Sequence, residues 1–447
     1  MKFIRLICIV CALLFTSFVN GKQKQKVASP DGTLTLSVGV NEKGQPYYEL
    51  WRGKRAILCP SLLGMKLRDG SLDKDFRIVG FSSGTKDETW QQPWGEETSV
   101  RNHYNELTMR LQQRGAQGRL LTIVFRLFND GLGFRYEFPR QPHLSDFAIM
   151  DEETQFAFPF DAKTWAMPTE GTNYYEALWA ADPLSRKPEV STPITMEVDN
   201  DLYLVVHEAN LTDYSSLNLK PIAAAKGTTT VKAELVPWST GELVFAKAPF
   251  VSPWRTIIVG HKPADLNLNE PCKIKDTSWL ETGKYVGIWW GMHMNDMTWS
   301  QGKKHGATTE NTRRYIDFAA DHGMKGVLVE GWNYGWDNDW GREGDKFSFT
   351  KPYPDYDLEG LQRYALSKGV RMIAHNETGG AAANYEQQLD SAFALYERLG
   401  IRVVKTGYVN AKLDNKELQH SQYGVRHYRK VIETAAKYHL MIINHEP

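Results

Sequence analysis

The sequence predicts a multidomain protein of mixed β and α/β class: a large N-terminal β-sandwich, then an incomplete (β/α)8 barrel with about five of the eight strands that closure needs. Two observations support this prediction. From about residue 22 to residue 275, short alternating stretches are separated by Gly and Pro, which is typical of a sandwich. From about residue 276 to residue 447, short apolar runs alternate with amphipathic helical segments, which indicates parallel βα units.

The first 21 residues have the pattern of a secretory signal peptide. A basic start over residues 1–5 precedes an apolar run over residues 6–18. This run is too short to span a membrane comfortably. We therefore expect residues 1–21 to be removed from an exported, periplasmic protein, and an association with the outer membrane stays open.

Composition excludes some partners and leaves others open. The 53 Lys and Arg residues balance 53 Asp and Glu residues, so no net charge attracts the chain to nucleic acid. The 14 Trp and 20 Tyr side chains suit the faces of sugar rings, although most residues of these types belong to cores. Cys59 and Cys272 follow the signal, and they could pair or stay as buried thiols. The sequence does not indicate an oligomeric state.

Alternating apolar and polar residues predict strands in the first domain, and a helical period predicts the elements of the second. The expected sandwich strands are 33–38, 120–128, 202–207, 228–235 and 254–259. The expected barrel strands are 285–290, 326–330, 371–374, 401–404 and 440–443. The expected helices are 311–322, 358–368, 385–399 and 423–438, with Gly323 and Gly369 as the stops of the first two.

Chemically capable side chains follow the predicted barrel strands. Of the four strand ends that carry such groups, three have a glutamate and the other has a lysine, and two of the glutamates have a histidine nearby. The candidate residues are Glu330, His375, Glu377, Lys405, His445 and Glu446. Because the C-terminal ends of barrel strands hold the active site, we expect a carboxylate-rich cleft there.

Paired carboxylates indicate glycoside hydrolysis, in which two carboxyl groups flank the bond that is cut. Glu377 and Glu446 come from strands close together around one rim, so they could share a side of such a cleft. Glu330 precedes Trp332 and could accept sugar hydroxyls, although a loop around a buried Trp explains it equally well. Lys405 could orient a hydroxyl, lower the pKa of a neighbouring carboxylate, or form a salt bridge at the rim.

These segments resemble glycoside hydrolase family 97, the exported α-glucosidases and α-galactosidases typical of Bacteroides-type bacteria. The resemblance covers nearly the whole chain after the signal. The blocks that carry it are residues 90–107, 253–259, 329–332, 375–378, 405–409 and 445–446. The family has a β-sandwich, a (β/α)8 barrel and a C-terminal β-domain, which agrees with the change of pattern described above.

The resemblance also implies a mechanism. Retaining members carry an aspartate nucleophile at the end of the fourth barrel strand, where this chain has Gly407. Inverting α-glucosidases of the family activate water with two glutamates, which match Glu377 and Glu446. The sugar-contacting positions match Glu330, His375, Lys405 and His445. The expected function is hydrolysis of α-glucosidic bonds in starch-type or related oligosaccharides, with inversion.

The resemblance implies one cofactor and one absence. Calcium is expected beside the substrate, with Glu176 and Glu446 among its oxygen ligands. The general acid of the family has no counterpart here, so we expect a C-terminally truncated member that is inactive by itself. The alternatives are an α-galactosidase of the same family, against which Gly407 argues, and a non-catalytic carbohydrate-binding protein.

Overall fold

The computed structural model describes residues 24–92, 97–116, 118–169, 177–225, 227–265, 278–337 and 339–445. The expected signal peptide, the predicted domain boundary, Cys272 and the expected calcium ligands Glu176 and Glu446 lie outside the described residues. Within these ranges no helix is long and apolar enough to cross a membrane.

Residues 24–265 form a domain of antiparallel sheets. Its strands are β1 (Gln25–Ala28), β2 (Leu34–Val40), β3 (Pro46–Arg52), β4 (Arg55–Leu62), β5 (Met65–Leu67), β6 (Gly70–Leu72), β7 (Phe76–Gln91), β8 (Ser99–Gln113), β9 (Leu120–Phe128), β10 (Gly131–Phe138), β11 (Asp146–Glu152), β12 (Gln155–Phe158), β13 (Lys163–Ala166), β14 (Ala180–Pro183), β15 (Val190–Ser191), β16 (Ile194–Asp199), β17 (Leu202–Ala209), β18 (Leu217–Ala225), β19 (Thr228–Leu235), β20 (Val244–Lys247), β21 (Phe250–Val251) and β22 (Trp254–Gly260).

The largest sheet has ten strands, in the order β14-β13-β16-β17-β22-β10-β9-β8-β7, with β21 paired to β10. Three four-stranded sheets accompany it, in the orders β1-β2-β3-β4, β20-β11-β5-β6 and β12-β19-β18-β15. The sheets pack through every second side chain of their strands. In β9, for example, Leu121, Ile123 and Phe125 are fully buried and face one core. The sandwich prediction is therefore confirmed, and the predicted strands 120–128 and 228–235 match β9 and β19 at both ends.

A buried ion network crosses the core of the sandwich. The guanidinium of Arg255 donates to both carboxylate oxygens of Glu152, at 2.9 and 2.7 Å, and to Glu208 at 2.7 Å. Burial raises the pKa of Glu208. Burial also acts to raise the pKa of Glu152, but the charge and hydrogen bonds of Arg255 hold it below its ordinary value. The sheet that contains Glu152 thus contacts the ten-stranded sheet that contains Glu208 and Arg255 through one cation paired with two carboxylates.

Residues 278–445 form an α/β domain. Its strands are β23 (Tyr285–Gly287), β24 (Gly326–Leu328), β25 (Arg371–Glu377), β26 (Val403–Gly407), β27 (Lys412–Leu413), β28 (Glu417–Leu418) and β29 (Met441–Asn444). Its helices are α1 (Trp289–His293), α2 (Thr309–Asp321), α3 (Leu358–Ser367), α4 (Ala382–Leu399) and α5 (Gln422–Lys437). The parallel sheet has the order β23-β24-β25-β26-β29, and β27 and β28 form a small hairpin after β26.

Local signals explain where the helices begin and end. The Thr308 side chain accepts from the N–H of Asn311 at the start of α2, and Asp357 accepts from the N–H of Gly360 at the start of α3. Gly323 and Gly369 follow these helices with φ of +67° and +75°, as predicted. Two predicted strands are wrong beyond their third residues, because 285–290 ends as β23 at Gly287 and 326–330 ends as β24 at Leu328. Trp289 and Trp290 begin the short helix α1 instead of extending β23.

Candidate active site

The expected site residues lie at the C-terminal ends of neighbouring strands of the parallel sheet, with His375 and Glu377 in β25 and Lys405 in β26. In the β25–β26 register, His375 pairs with Lys405 and Glu377 pairs with Gly407. Because side chains alternate along a strand, His375 and Glu377 project from the same face of β25. Two adjacent register rows therefore lie at the C-terminal edge of the sheet, one with His375 and Lys405 and one with Glu377 and Gly407.

Glu330 is the centre of the first row. It is 4% exposed and lies two residues after β24. Its Oε1 accepts from Lys405 Nζ at 3.0 Å and lies 3.6 Å from His375 Nε2. Burial acts to raise the pKa of Glu330, but the charges of His375 and Lys405 and the hydrogen bonds it accepts hold it below its ordinary value. The structure thus brings together three of the predicted residues as a compact charged group.

Tryptophans that the sequence analysis did not select form a wall beside this group. Trp299 Nε1 donates to Glu330 Oε2 at 3.0 Å. The Trp336 ring stacks on His375 at 5.9 Å between centroids and on Trp299 at 6.2 Å. Trp299 lies between α1 and α2, far from any predicted strand end, so no local pattern distinguishes it from a core aromatic. Trp336 is 3% exposed and Trp299 is half-buried, so the wall packs the side chains of Glu330 and His375 in place.

The second row holds the carboxylate of Glu377. The residue is 3% exposed, and its Oε1 accepts from the backbone N–H groups of Thr378, Gly379 and Val409 at 3.0, 2.8 and 3.0 Å. Gly379 and Gly380 have φ of +55° and +76°, a conformation that glycine adopts without strain, and this turn aims the donors at the carboxylate. Three fixed donors on one oxygen set the direction in which the carboxyl group faces.

Gly407 is in direct contact with this carboxylate. A Cβ built on Gly407 would lie 2.0 Å from Glu377 Oε2 and 3.0 Å from its Cδ. Real Cβ atoms essentially never approach another atom under 3.0 Å. The observed orientation of Glu377 therefore requires glycine at position 407.

Of the remaining predicted site residues, the structure describes His445 but not Glu446 or Glu176. The backbone N–H of His445 donates to Thr406 O at 3.0 Å, so His445 continues the sheet beside β26, and it is exposed. Glu446 and Glu176 lie outside the described residues. In the ranges that are described, no group of three or more His, Cys, Asp or Glu side chains is arranged to hold a metal ion.

Family models match both domains. The model for the glycosyl-hydrolase 97 N-terminal domain matches residues 27–270, and the model for glycoside hydrolase 97 matches residues 289–447. A retaining alpha-galactosidase of Bacteroides thetaiotaomicron is 25% identical over 98% of this chain and 66% of its own length. A probable retaining alpha-galactosidase of Streptomyces bingchenggensis is 25% identical over 93% of this chain and 58% of its own. The chain thus spans less than two thirds of either relative.

Solved structures agree with the fold. A glycoside hydrolase family 97 enzyme from Pseudoalteromonas sp. strain K8, in complex with acarbose, has a TM-score of 0.88 and 40% identity, over 95% of this chain and 66% of that one. A beta-arabinopyranosidase with a TM-score of 0.71 and 22% identity, over 95% of this chain and 67% of that one, shares the fold. Since the two family models together cover most of the sequence, the chain belongs to glycoside hydrolase family 97.

Proposed function

We propose that this chain carries the sandwich and the base-carrying part of the barrel of an inverting α-glucosidase. Its substrates are α-glucosidic bonds in starch-type or related oligosaccharides. The observation that carries the proposal is the contact between Glu377 and Gly407. A glycine cannot act as a nucleophile, and an aspartate at this position would collide with Glu377 as it is oriented here. This geometry supports an inverting mechanism over a retaining mechanism with that nucleophile.

The wider comparison supports a glucoside substrate. The Pseudoalteromonas enzyme, at 40% identity, has been solved with acarbose and, as a variant, with panose. Panose is a trisaccharide of α-linked glucose. The two curated relatives named as retaining α-galactosidases are each 25% identical to this chain. An α-galactosidase of the same family is the second candidate, and those two names favour it.

The proposed reaction is a single displacement. Glu377 accepts a proton from a water molecule, whose oxygen forms a bond to the anomeric carbon as the bond to the leaving oxygen breaks. Glu446 is proposed as the second base. The departing oxygen takes a proton from a general acid, to which we assign no residue of this chain. Glu330, Lys405, His375 and His445 are proposed to bind the hydroxyl groups of the sugar.

Calcium stays part of the proposal, with Glu176 and Glu446 as ligands. The described side chains do not fit a calcium ion by themselves, because they contain no group that could hold a metal and Glu330 is already bound to Lys405 and Trp299. No step above is therefore assigned to the ion. Bound calcium would supply positive charge beside the substrate. Metal analysis of the purified protein before and after chelation, with Glu176→Gln as the comparison, tests this point.

The anomer that forms first separates the candidates. α-Glucosyl fluoride and α-galactosyl fluoride release fluoride without a proton from an acid, so they report on the base alone. The chain expected to be inactive on ordinary α-glucosides, which need a general acid, should therefore still hydrolyse the glucosyl fluoride, with β-glucose as the first product by NMR. Faster turnover of the galactosyl compound with α-galactose first would support the second candidate. Binding of panose by calorimetry without turnover of either fluoride would indicate a carbohydrate-binding protein.

Export to the periplasm is also proposed, and cell fractionation tests it.

A further inference from the structure

We propose that Gln419 is a positioning residue for Glu377, through which the β-sandwich acts on the active site. The inference rests on the proposed function, because it concerns the carboxylate assigned there as a base. It adds a role for residues other than those expected to contact the substrate.

One peptide group connects Gln419 to Glu377. Gln419 Nε2 donates to Tyr408 O at 2.9 Å. The N–H of the same peptide group belongs to Val409, and it donates to Glu377 Oε1 at 3.0 Å. Hydrogen bonds in such a chain polarise one another and fix the plane of the peptide between them. The amide of Gln419 thus sets the direction of one of the three donors on the carboxylate.

Gln419 is held so that its amide can point only one way. The residue is 0% exposed, and its Oε1 accepts from Tyr428 OH at 3.1 Å. Its Nε2 also donates to Asn410 O. These contacts place the acceptor towards a hydroxyl and both N–H groups towards carbonyls, which is an arrangement that only an amide satisfies.

Residues before and after Gln419 in the chain are hydrogen-bonded to the sandwich domain. The Glu417 carboxylate accepts from the N–H and the hydroxyl of Ser239, each at 2.7 Å. The backbone O of His420 accepts from the N–H and the hydroxyl of Ser216, at 3.1 and 3.0 Å. Contacts with the sandwich domain therefore fix where Gln419 lies relative to Glu377.

Gln422 strengthens the same connection at the start of α5. It is 0% exposed, and its Oε1 accepts from Phe245 N at 2.8 Å while its Nε2 donates to Phe245 O at 2.9 Å and to Asp213 Oδ1 at 2.8 Å. Each of these partners belongs to the sandwich domain. The buried amide of Gln422 uses its donors and its acceptor in hydrogen bonds to the sandwich domain. Movement of α5 relative to the sandwich would break these bonds and leave buried polar groups unpaired.

Two variants test the proposal. Gln419→Met removes the amide at similar volume. Glu417→Gln weakens the contact with Ser239 that holds this segment and keeps the Gln419 side chain itself unaltered, so it is informative even where changes at 419 impair folding. Gln362→Met is the matched control, because Gln362 is 1% exposed and its Oε1 accepts from Met372 N at the opposite end of β25.

The first readout needs no catalysis. We expect the Val409 amide to exchange with deuterium about tenfold faster in Gln419→Met and in Glu417→Gln than in the unaltered protein, because its orientation towards Glu377 is lost. Gln362→Met should leave that exchange unchanged while it lowers the melting temperature. Unchanged Val409 protection in Gln419→Met and Glu417→Gln would overturn the proposal.

The second readout uses α-glucosyl fluoride. Gln419→Met should lower kcat by about tenfold or more with KM little changed, and shift the acid limb of the pH profile upwards, since a carboxylate that loses a donor binds its proton more tightly. A parallel fall in melting temperature and activity without a shift of the pH profile would show a structural role only. If the unaltered protein hydrolyses neither fluoride, the proposed function fails, and the exchange experiment still decides the role of Gln419.

Discussion

The carboxylate of Glu377 occupies the space that a side chain at Gly407 would need. The two residues are register partners on β25 and β26, and a Cβ at Gly407 would lie 2.0 Å from Glu377 Oε2. A base on the third barrel strand and a nucleophile on the fourth are thus alternatives for one volume. The glycine is required by the glutamate, as well as being unable to act as a nucleophile.

Gly407→Ala should therefore destabilise the protein and reduce its activity. The added methyl must move Glu377 away from its backbone donors, and we expect a loss of about 1–3 kcal/mol in the free energy of unfolding. Chemical denaturation measures it. In the Glu377→Ala background the same substitution should cost less, by a coupling energy of about 0.5–3 kcal/mol. Equal costs in the two backgrounds would show that the two positions do not compete for space.

Glu377→Gln should remove catalysis without unfolding the protein. An amide cannot take the proton from water, so kcat on α-glucosyl fluoride should fall by about 10²–10⁴. Initial rates by fluoride electrode and a melting curve measure both properties. Glu433→Gln, at an exposed pair with Arg429 on α5, is the control and should keep full activity. Full activity in Glu377→Gln would exclude Glu377 as a base.

The Glu330 group should make stability depend on pH on the acid side. Its pKa is held below the ordinary value of 4.5, so its charged form stabilises the fold above that pH, and this contribution disappears as the pH falls through the lower folded value. The stability advantage of the unaltered protein over Glu330→Gln should therefore be largest near neutral pH and shrink below pH 4.5. Urea unfolding of both proteins across this range measures it, and a constant difference would contradict the assignment.

Arg255→Met should destabilise the sandwich strongly. It leaves Glu152 and Glu208 buried without their cation, and removal of one partner from such a network costs about 3–5 kcal/mol. The urea midpoint measures it. Arg101→Met is the control, since Arg101 and Asp87 form an exposed pair on the β7–β8 hairpin, and its midpoint should barely change. Similar midpoints for the two variants would show that the buried network contributes little.

The sequence predicts the elements of this fold well, because their signals are local. Strands β9 and β19 follow from alternation, and the ends of α2 and α3 follow from their caps and glycines. The error at Trp289 and Trp290 has a physical reason: large aromatic residues favour strands, but here they are exposed on a short helix.

The site is predictable only in part, for a different reason. Glu330, His375 and Lys405 follow predicted strands, so a shared edge of the sheet brings them together. Trp299 and Gln419 reach the site residues through contacts across loops, and no spacing in the sequence indicates them. The steric relation of Gly407 to Glu377 likewise depends on the register between two strands, which the sequence alone does not fix.

Proton NMR of the first product tests the central claim most directly. With α-glucosyl fluoride as substrate, a base that activates water at Glu377 must release β-glucose before mutarotation produces the α-anomer. The account predicts β-glucose in the earliest spectra of the unaltered protein, and no glucose from Glu377→Gln over the same period. α-Glucose in the earliest spectra would contradict it, because retention requires a nucleophile that Gly407 cannot provide.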